Sequence, residues 1–426
     1  MIRLIYNLLW PVGLIFFLPR YLLKMVRRGG YREKFGQRLG VYDAKVRDRL
    51  AGKKGIWLHA VSVGEVRIAL KLAVTLGELQ RNLHCVLTTT TTTGFAVASQ
   101  NAPDWVEVIY NPLDFWPIMR RAFSVINPAK IVLIEAEVWP NLVAEAHRRK
   151  IPIVLANARL SARSETRFRR FRWLVAPIFR RLDLICVPET GDVERWTALG
   201  VARQKIHCTG SIKFDSENVS IDPAIPKGIL TELGIAHRTI IVAGSTHSGE
   251  EKILAEVYRA LRRQFVDLLL VIAPRHIERT NEIGHLLLEK GFRVALRSHP
   301  LPSDRGADCL IVDSTGELRN WYATATVVFV GKSLCAHGGQ NPVEAIEAGR
   351  PVLFGPNMEN FAALTKALLE RNAAIQINSP TELRRELAAL LGDPERREEL
   401  VKNARAVLET HRGATALTAR LIKDLG

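Results

Sequence analysis

Matching glutamates stand in the two halves of the chain. In the first half the run IWLHAVS leads into Val63, Gly64 and Glu65, followed by VRIALKLAVTL. In the second, TIIVAGS leads into Thr246, His247, Ser248, Gly249 and Glu250, followed by EKILAEVYRAL. Each reads as a strand, a Ser/Gly turn and a helix start, an arrangement that exposes backbone N–H groups and puts a carboxylate in the first helical turn. Such a carboxylate suits acid–base work. Capping the helix calls for the same residue at the same place, so the pattern alone leaves both roles open for each glutamate. A further acidic pair, Glu135 and Glu137, ends the run KIVLIEA just before Trp139 and Pro140. Residues two apart on a strand project to one face, so both are expected to enter the same space.

The elements that carry these residues read as α/β throughout. IWLHAVS, CVLTTT, VEVIY, KIVLIEA, IPIVLANA and LDLICVP alternate with helical patterns. Continuous apolar runs separated by helices indicate parallel strands covered on both faces. The alternation restarts with TIIVAGS, DLLLVIAP, DCLIVDS, ATVVFVG and PVLFGP, after the polar stretch SENVSIDPAIPKG with Pro223 and Pro226, which is read as the linker. Two Rossmann-like, doubly wound domains place ligands at the carboxyl ends of their strands, in a cleft between them. There is no GxGxxG after a first strand and no GxxxxGK[ST], so dinucleotide and P-loop readings are poor.

The 426 residues are 47% hydrophobic and 24% charged, a globular composition long enough for two cores. The net charge of +17 implies an anionic partner. Much of the excess lies between Arg148 and Arg181, yet no nucleic-acid-binding module accompanies it, so nucleic acid is not the expected partner. The five cysteines form no CxxC pair and read as buried, reduced thiols. Leu8 to Leu18 is an apolar run flanked by Arg3 and by Arg20, Lys24, Arg27 and Arg28, short for a spanning helix and interrupted by Pro11 and Gly13. It reads as an uncleaved membrane anchor over residues 1–28, interfacial or marginally spanning, with the following domain on the cytoplasmic side.

Six stretches, taken in order, resemble the 3-deoxy-D-manno-oct-2-ulosonic acid (Kdo) transferase family. They are HAVSVGE at His59–Glu65, EAEVWPN at Glu135–Asn141, ANARLSARS at Ala156–Ser164, GSIKFD at Gly210–Asp215, APRHIER at Ala273–Arg279 and NPVEAIEAGRPVLFGP at Asn341–Pro356. The resemblance implies a GT-B fold: an acceptor domain over 29–215 and a donor domain over 227–426, facing each other across a cleft. It also implies an inverting, metal-independent transfer of Kdo from CMP-Kdo to lipid IVA, the anionic tetraacyl precursor of lipid A in lipopolysaccharide biosynthesis. The place implied is the cytoplasmic face of the inner membrane.

Carried over residue by residue, the resemblance makes Glu65 the general base and Glu135 and Lys213 the stabilisers of the transition state, with Glu137 as second choice to Glu135. The donor's CMP is assigned Pro274 and Arg275, the backbone of Thr315, Gly316 and Glu317, and the helix start at Asn341, Pro342 and Val343, with Glu344 on the ribose hydroxyls. No cofactor and no metal is implied. The rival readings are a GT-B enzyme using a UDP-sugar, whose donor turns are similar, and a basic surface-binding module without catalysis.

Overall fold

The computed structural model describes residues 6–8, 10, 13, 34–160, 162–215 and 221–425. The chain divides into two compact units, one of residues 1–215 with 411–426 and the other of 216–410.

The first unit holds a seven-stranded sheet of β1 (Gly55–Ala60), β2 (Cys85–Thr89), β3 (Val106–Tyr110), β4 (Pro128–Ile134), β5 (Ile153–Ala156), β6 (Leu184–Val187) and β7 (Ile206–Cys208). Its order is β3-β2-β1-β4-β5-β6-β7, with all neighbours parallel. Successive residues of a strand serve opposite cores: Trp57, Ile131, Leu133, Ile153 and Leu155 pack on one face, and Ile56, Leu58, Val132, Ile134 and Val154 on the other. This two-sided burial is why the strands read as unbroken apolar runs. Strand order reverses between β1 and β4, which makes their carboxyl ends the switch point where open α/β sheets bind ligands.

The second unit repeats the plan with β8 (Thr239–Thr246), β9 (Leu268–Pro274), β10 (Val294–Leu296), β11 (Cys309–Ile311), β12 (Val327–Val330), β13 (Val352–Phe354) and β14 (Ile375–Gln376). The order is β10-β11-β9-β8-β12-β13-β14, again parallel, with the reversal between β8 and β12.

Several expectations are revised. The second domain does not run to residue 426. The helix Ala414–Asp424 belongs to the first unit, where Ala419 and Ile422 are buried in the core that also holds Leu72 and Leu76 of the helix Val63–Leu79. Of the stretch read as linker, 216–220 lies outside the described residues, and the remainder starts a helix. Pro223 is the N-cap of Ala224–Glu232 and Pro226 is buried in its first turn, where a missing N–H costs nothing. Cys85, Cys186 and Cys309 are buried as expected, but Cys208 and Cys335 are exposed. The expected anchor over residues 1–28 lies almost wholly outside the described residues. Among the described residues no helix is long and apolar enough to cross a membrane.

Candidate functional site

Glu65 sits in the first turn of the helix Val63–Leu79, directly after β1. The Ser62 Oγ accepts from the Glu65 N–H (3.3 Å) and donates to Glu65 Oε1 (2.7 Å), while the Val61 N–H donates to Oε2 (2.8 Å). This reciprocal capping satisfies the helix end and also fixes the carboxylate, which is only 9% exposed. Each carboxylate oxygen keeps a second lone-pair direction for another donor. Beneath the turn, Thr91 Oγ1 donates to the Val61 carbonyl (3.1 Å), so the threonine run after β2 braces the loop.

Glu135 and Glu137 follow β4, the neighbour of β1 across the switch point. The strand ends at Ile134, so they do not share a strand face as expected. Glu135 instead turns the chain in the left-handed region (φ 61°), a conformation costly for a residue with a Cβ and concentrated at functional sites. Past the turn, the helix Pro140–Arg148 is capped from a distance by Asp114, whose carboxylate accepts from the N–H groups of Asn141 (3.0 Å) and Leu142 (2.8 Å).

The three carboxylates act on one another. Burial, and then the Glu65 charge, raise Glu135 above the usual carboxylate range, with Arg159 and Lys213 pulling it back. Glu137 is pushed up to about 7, first by burial and then by Glu65 and Glu135, against a hydrogen bond with Trp139. Burial lowers Lys213 from its ordinary value; Arg159 adds to this and Glu135 opposes it. Glu135 is thus within electrostatic reach of Glu65, Glu137, Lys213 and Arg159, and Glu137 of Glu65. Arg159 was missed as a site residue although it stands inside the quoted ANARLSARS stretch.

Lys213 owes its place to a clamped loop. Asn157, left-handed (φ 54°) just past β5, accepts on Oδ1 from Ser211 Oγ (3.3 Å) and the Ile212 N–H (3.1 Å). Two residues beyond Lys213, the Asp215 carboxylate accepts from the N–H groups of Gly413 and Thr415, both at 2.8 Å. The loop is held from the sheet on one side and from the C-terminal helix on the other.

The donor-domain expectations fall in the second unit. Pro274 ends β9, buried, with Arg275 exposed beside it. Thr315 and Gly316 bend the chain after β11, the neighbour of β9, and Glu317 is the N-cap of the helix Leu318–Tyr322. The side chain of Glu317 is held by Arg297 in a two-pronged ion pair and by Ser314 Oγ (3.1 Å), leaving its backbone as the part offered outward. Sequence reasoning passed over Arg297. Asn341 Oδ1 accepts from the Val343 N–H (3.1 Å), Pro342 is the N-cap, and Glu344 lies in the first turn of Val343–Glu347. That helix has only five residues, so its dipole is weaker than the sequence reading assumed.

Glu250 parts company with Glu65. It is fully buried, and its two oxygens accept four backbone N–H groups: His247 (2.9 Å), Lys332 (2.8 Å), Ser333 (3.0 Å) and Leu334 (3.0 Å). About four lone-pair directions are all a carboxylate has, so nothing remains for a substrate proton. Of the two glutamates left open by the pattern, Glu250 is a structural staple.

A family model described as 3-Deoxy-D-manno-octulosonic-acid transferase (kdotransferase) matches residues 33–216. A 3-deoxy-D-manno-octulosonic acid transferase of Haemophilus influenzae is 34% identical over 94% of this chain and 93% of its own length. Its counterpart in Bordetella pertussis is 33% identical over 93% of each. Among solved structures, the UDP-GlcNAc 2-epimerase of Neisseria meningitidis bound to UDP-GlcNAc aligns with a TM-score of 0.56, covering 87% of this chain and 100% of that one. The glycotransferase of kitacinnamycin aligns at 0.54, covering 88% and 99%. Identities of 14% and 15% make these a likeness of fold alone. The chain therefore belongs to the 3-deoxy-D-manno-octulosonic acid transferase family and is a glycosyltransferase.

Proposed function

We propose that the protein transfers Kdo from CMP-Kdo to lipid IVA, with inversion and without a metal ion, at the cytoplasmic face of the inner membrane. The observation that carries the reading is that Glu135, just past the switch-point strand β4, is electrostatically coupled to Glu65 and Glu137 and to the cations Lys213 and Arg159. An alcohol is a poor nucleophile, and a positioned carboxylate that takes its proton contributes about 10²- to 10⁴-fold. Glu65, held by Ser62 and Val61, is the base: the acceptor oxygen bonds to the anomeric carbon, the bond from that carbon to the phosphate oxygen breaks, the proton passes to Glu65, and CMP departs. Glu135 offsets the positive charge that builds on the sugar ring, as carboxylates do in glycoside hydrolysis. Lys213 offsets negative charge on the departing phosphate or the sugar carboxylate.

The donor belongs to the second unit, with Pro274, Arg275, the backbone of Thr315–Glu317 and the Asn341–Glu344 turn as its contacts. An acceptor that is an anionic glycolipid suits the basic helix Ala162–Arg170 and its neighbour, where Arg167, Arg170, Arg172, Phe171 and Trp173 are exposed.

The test is an assay of the purified protein with CMP-Kdo and a tetraacyl lipid A precursor, with mass analysis of the product. A product one or more Kdo units heavier is expected; turnover of UDP-sugars and none of CMP-Kdo overturns the reading. Glu65→Gln should lose transfer by about 10²-fold or more while still binding CMP-Kdo. Near-normal turnover in that variant would remove Glu65 from the role.

A further inference from the structure

The carboxyl ends of β8 and β12 are the second sheet's counterpart of the β1/β4 switch point, and the chain equips them differently. The Glu250 staple joins the turn after β8 to the loop after β12. The two backbones approach so closely that a Cβ on Gly331 would lie 2.5 Å from the Ser245 carbonyl oxygen. On this fixed frame stand side chains that are cationic or can become so. The rings of His247 and His276 meet edge to face with centroids 5.7 Å apart. Lys332 acts electrostatically on His247, and its stem lies along the loop, 3.7 Å from where a Cβ on Gly338 would be.

The charged groups acting on His247 are Lys332, His276 and Glu250, and the Glu250 carboxylate is already committed to four amides. No ion pair within the described residues involves Lys332. Thr246, fully buried at the same strand end, has a hydroxyl with no hydrogen-bond partner among the described residues. Two imidazoles, an ammonium and a hydroxyl without a partner among the described residues stand at a sheet's switch point, and the carboxylate that reaches this loop, Glu359, is taken by His337 (2.9 Å) and the Gly338 N–H (2.6 Å), which leaves a place for an anion.

We propose that His247, His276 and Lys332 form an anion subsite that holds an oxygen of a phosphate or carboxylate on the bound donor. The proposal rests on the reading that the second unit binds CMP-Kdo, whose two anionic groups are its phosphate and its sugar carboxylate. Burial holds His247 below its ordinary pKa, with Lys332 and His276 adding to this and the Ser245 carbonyl and Glu250 opposing it. An anion settling among these groups reverses the balance, so His247 takes up a proton as the ligand binds.

Calorimetric titration of the full-length protein with CMP and with CMP-Kdo, for the wild type, His247→Ala and Lys332→Met, tests the subsite. Each variant should weaken binding about tenfold or more, the loss expected of one charge-assisted hydrogen bond. Weakening of both ligands assigns the subsite to the phosphate; weakening of CMP-Kdo alone assigns it to the carboxylate. Unchanged affinity for both ligands in both variants overturns the subsite while leaving the donor reading in place. Should the wild type bind neither nucleotide, the donor reading fails, and NMR of the histidine rings during titration with inorganic phosphate decides the subsite separately. Shifts of the His247 and His276 signals support it, and their absence overturns it. If His247→Ala loses its thermal transition, His247→Gln takes its place.

Discussion

Burial and mutual repulsion set the behaviour of the acids around Glu65 and give Glu137 a measurable signature. Its pKa in the folded protein is about 7, against about 4.5 when the chain unfolds. Between those values the native state holds a proton that the unfolded state has released, so this group's contribution to stability falls as pH rises through that window and stays low above it. Glu137→Gln removes the penalty. The variant should be more stable than the wild type at pH 8, by on the order of 1–3 kcal/mol, with the gap narrowing toward pH 5. Chemical unfolding at the two pH values checks this, and a gap that widens toward acid would contradict the assignment of Glu137 as the raised group. What was legible at this scale is that the acids after β1 and β4 stand close: the charges of Glu65, Glu135 and Glu137 act on one another. The fate of Glu250 was not legible. A helix-start glutamate looks the same in sequence whether its oxygens meet two protein donors or four, and the extra amides come from residues more than eighty positions away. The left-handed turn at Glu135 was likewise hidden, because nothing in the residue type announces it.

Among the elements, β1 carries the heaviest demand, since Glu65 hangs from its end. Two polar side-chain atoms of the strand share one neighbour. Thr88 Oγ1 on β2 accepts from Trp57 Nε1 (2.9 Å), lies 3.0 Å from His59 Nδ1 and donates to the Leu58 carbonyl (3.3 Å). Trp57 and His59 are both fully buried, and His59 Nε2 already lacks a partner among the described residues. Thr88→Val keeps the volume and strands two further polar atoms, at a cost of about 1–3 kcal/mol. The loss should appear as a lower urea midpoint for the first unit, and a midpoint equal to the wild type's would show that water or a rotated ring replaces the hydroxyl. Burial also lowers His59 to about 4, so its neutral form supports the fold. Unfolded histidine titrates near 6.5; the contribution is therefore whole above that value and is lost as pH falls toward 4. Eleven strands were easy to read because both faces are covered, which turns period-two alternation into continuous apolar runs, whereas β7, β10 and β14, edge strands of two or three residues, carry too short a run to stand out. Pro223 and Pro226 misled for an equally physical reason: proline punctuates linkers and helix starts alike, and here it opens Ala224–Glu232.

At the scale of the whole molecule, the chain's return to its first unit decides what a truncation will do. The sequence could not show this, since Ala414–Asp424 has the amphipathic pattern of any helix and follows the second unit directly. The structure ties it into the first: His411 Nδ1 accepts from the Ser211 N–H (3.3 Å), Asp215 takes the N–H groups of Gly413 and Thr415, and Lys130 Nζ donates to the carbonyls of Ile422 (2.8 Å) and Lys423 (2.9 Å). Ala419 and Ile422 are fully buried, with Leu421 and Leu425 partly so. Ending the chain at Thr410 exposes this apolar surface, worth roughly 3–6 kcal/mol at about 1.5–3 kcal/mol for each fully buried large side chain. It also frees the loop that carries Lys213. Transfer should therefore be lost and the first unit's unfolding transition lowered, although every donor contact assigned to the second unit remains. CMP binding measured on the truncated chain should stay within a few-fold of the full chain's value. A truncation that instead abolished CMP binding and spared the first unit's transition would mean that the C-terminal helix stabilises the second unit. The pattern of loss therefore reads out, in solution, which of the two cores the last helix completes.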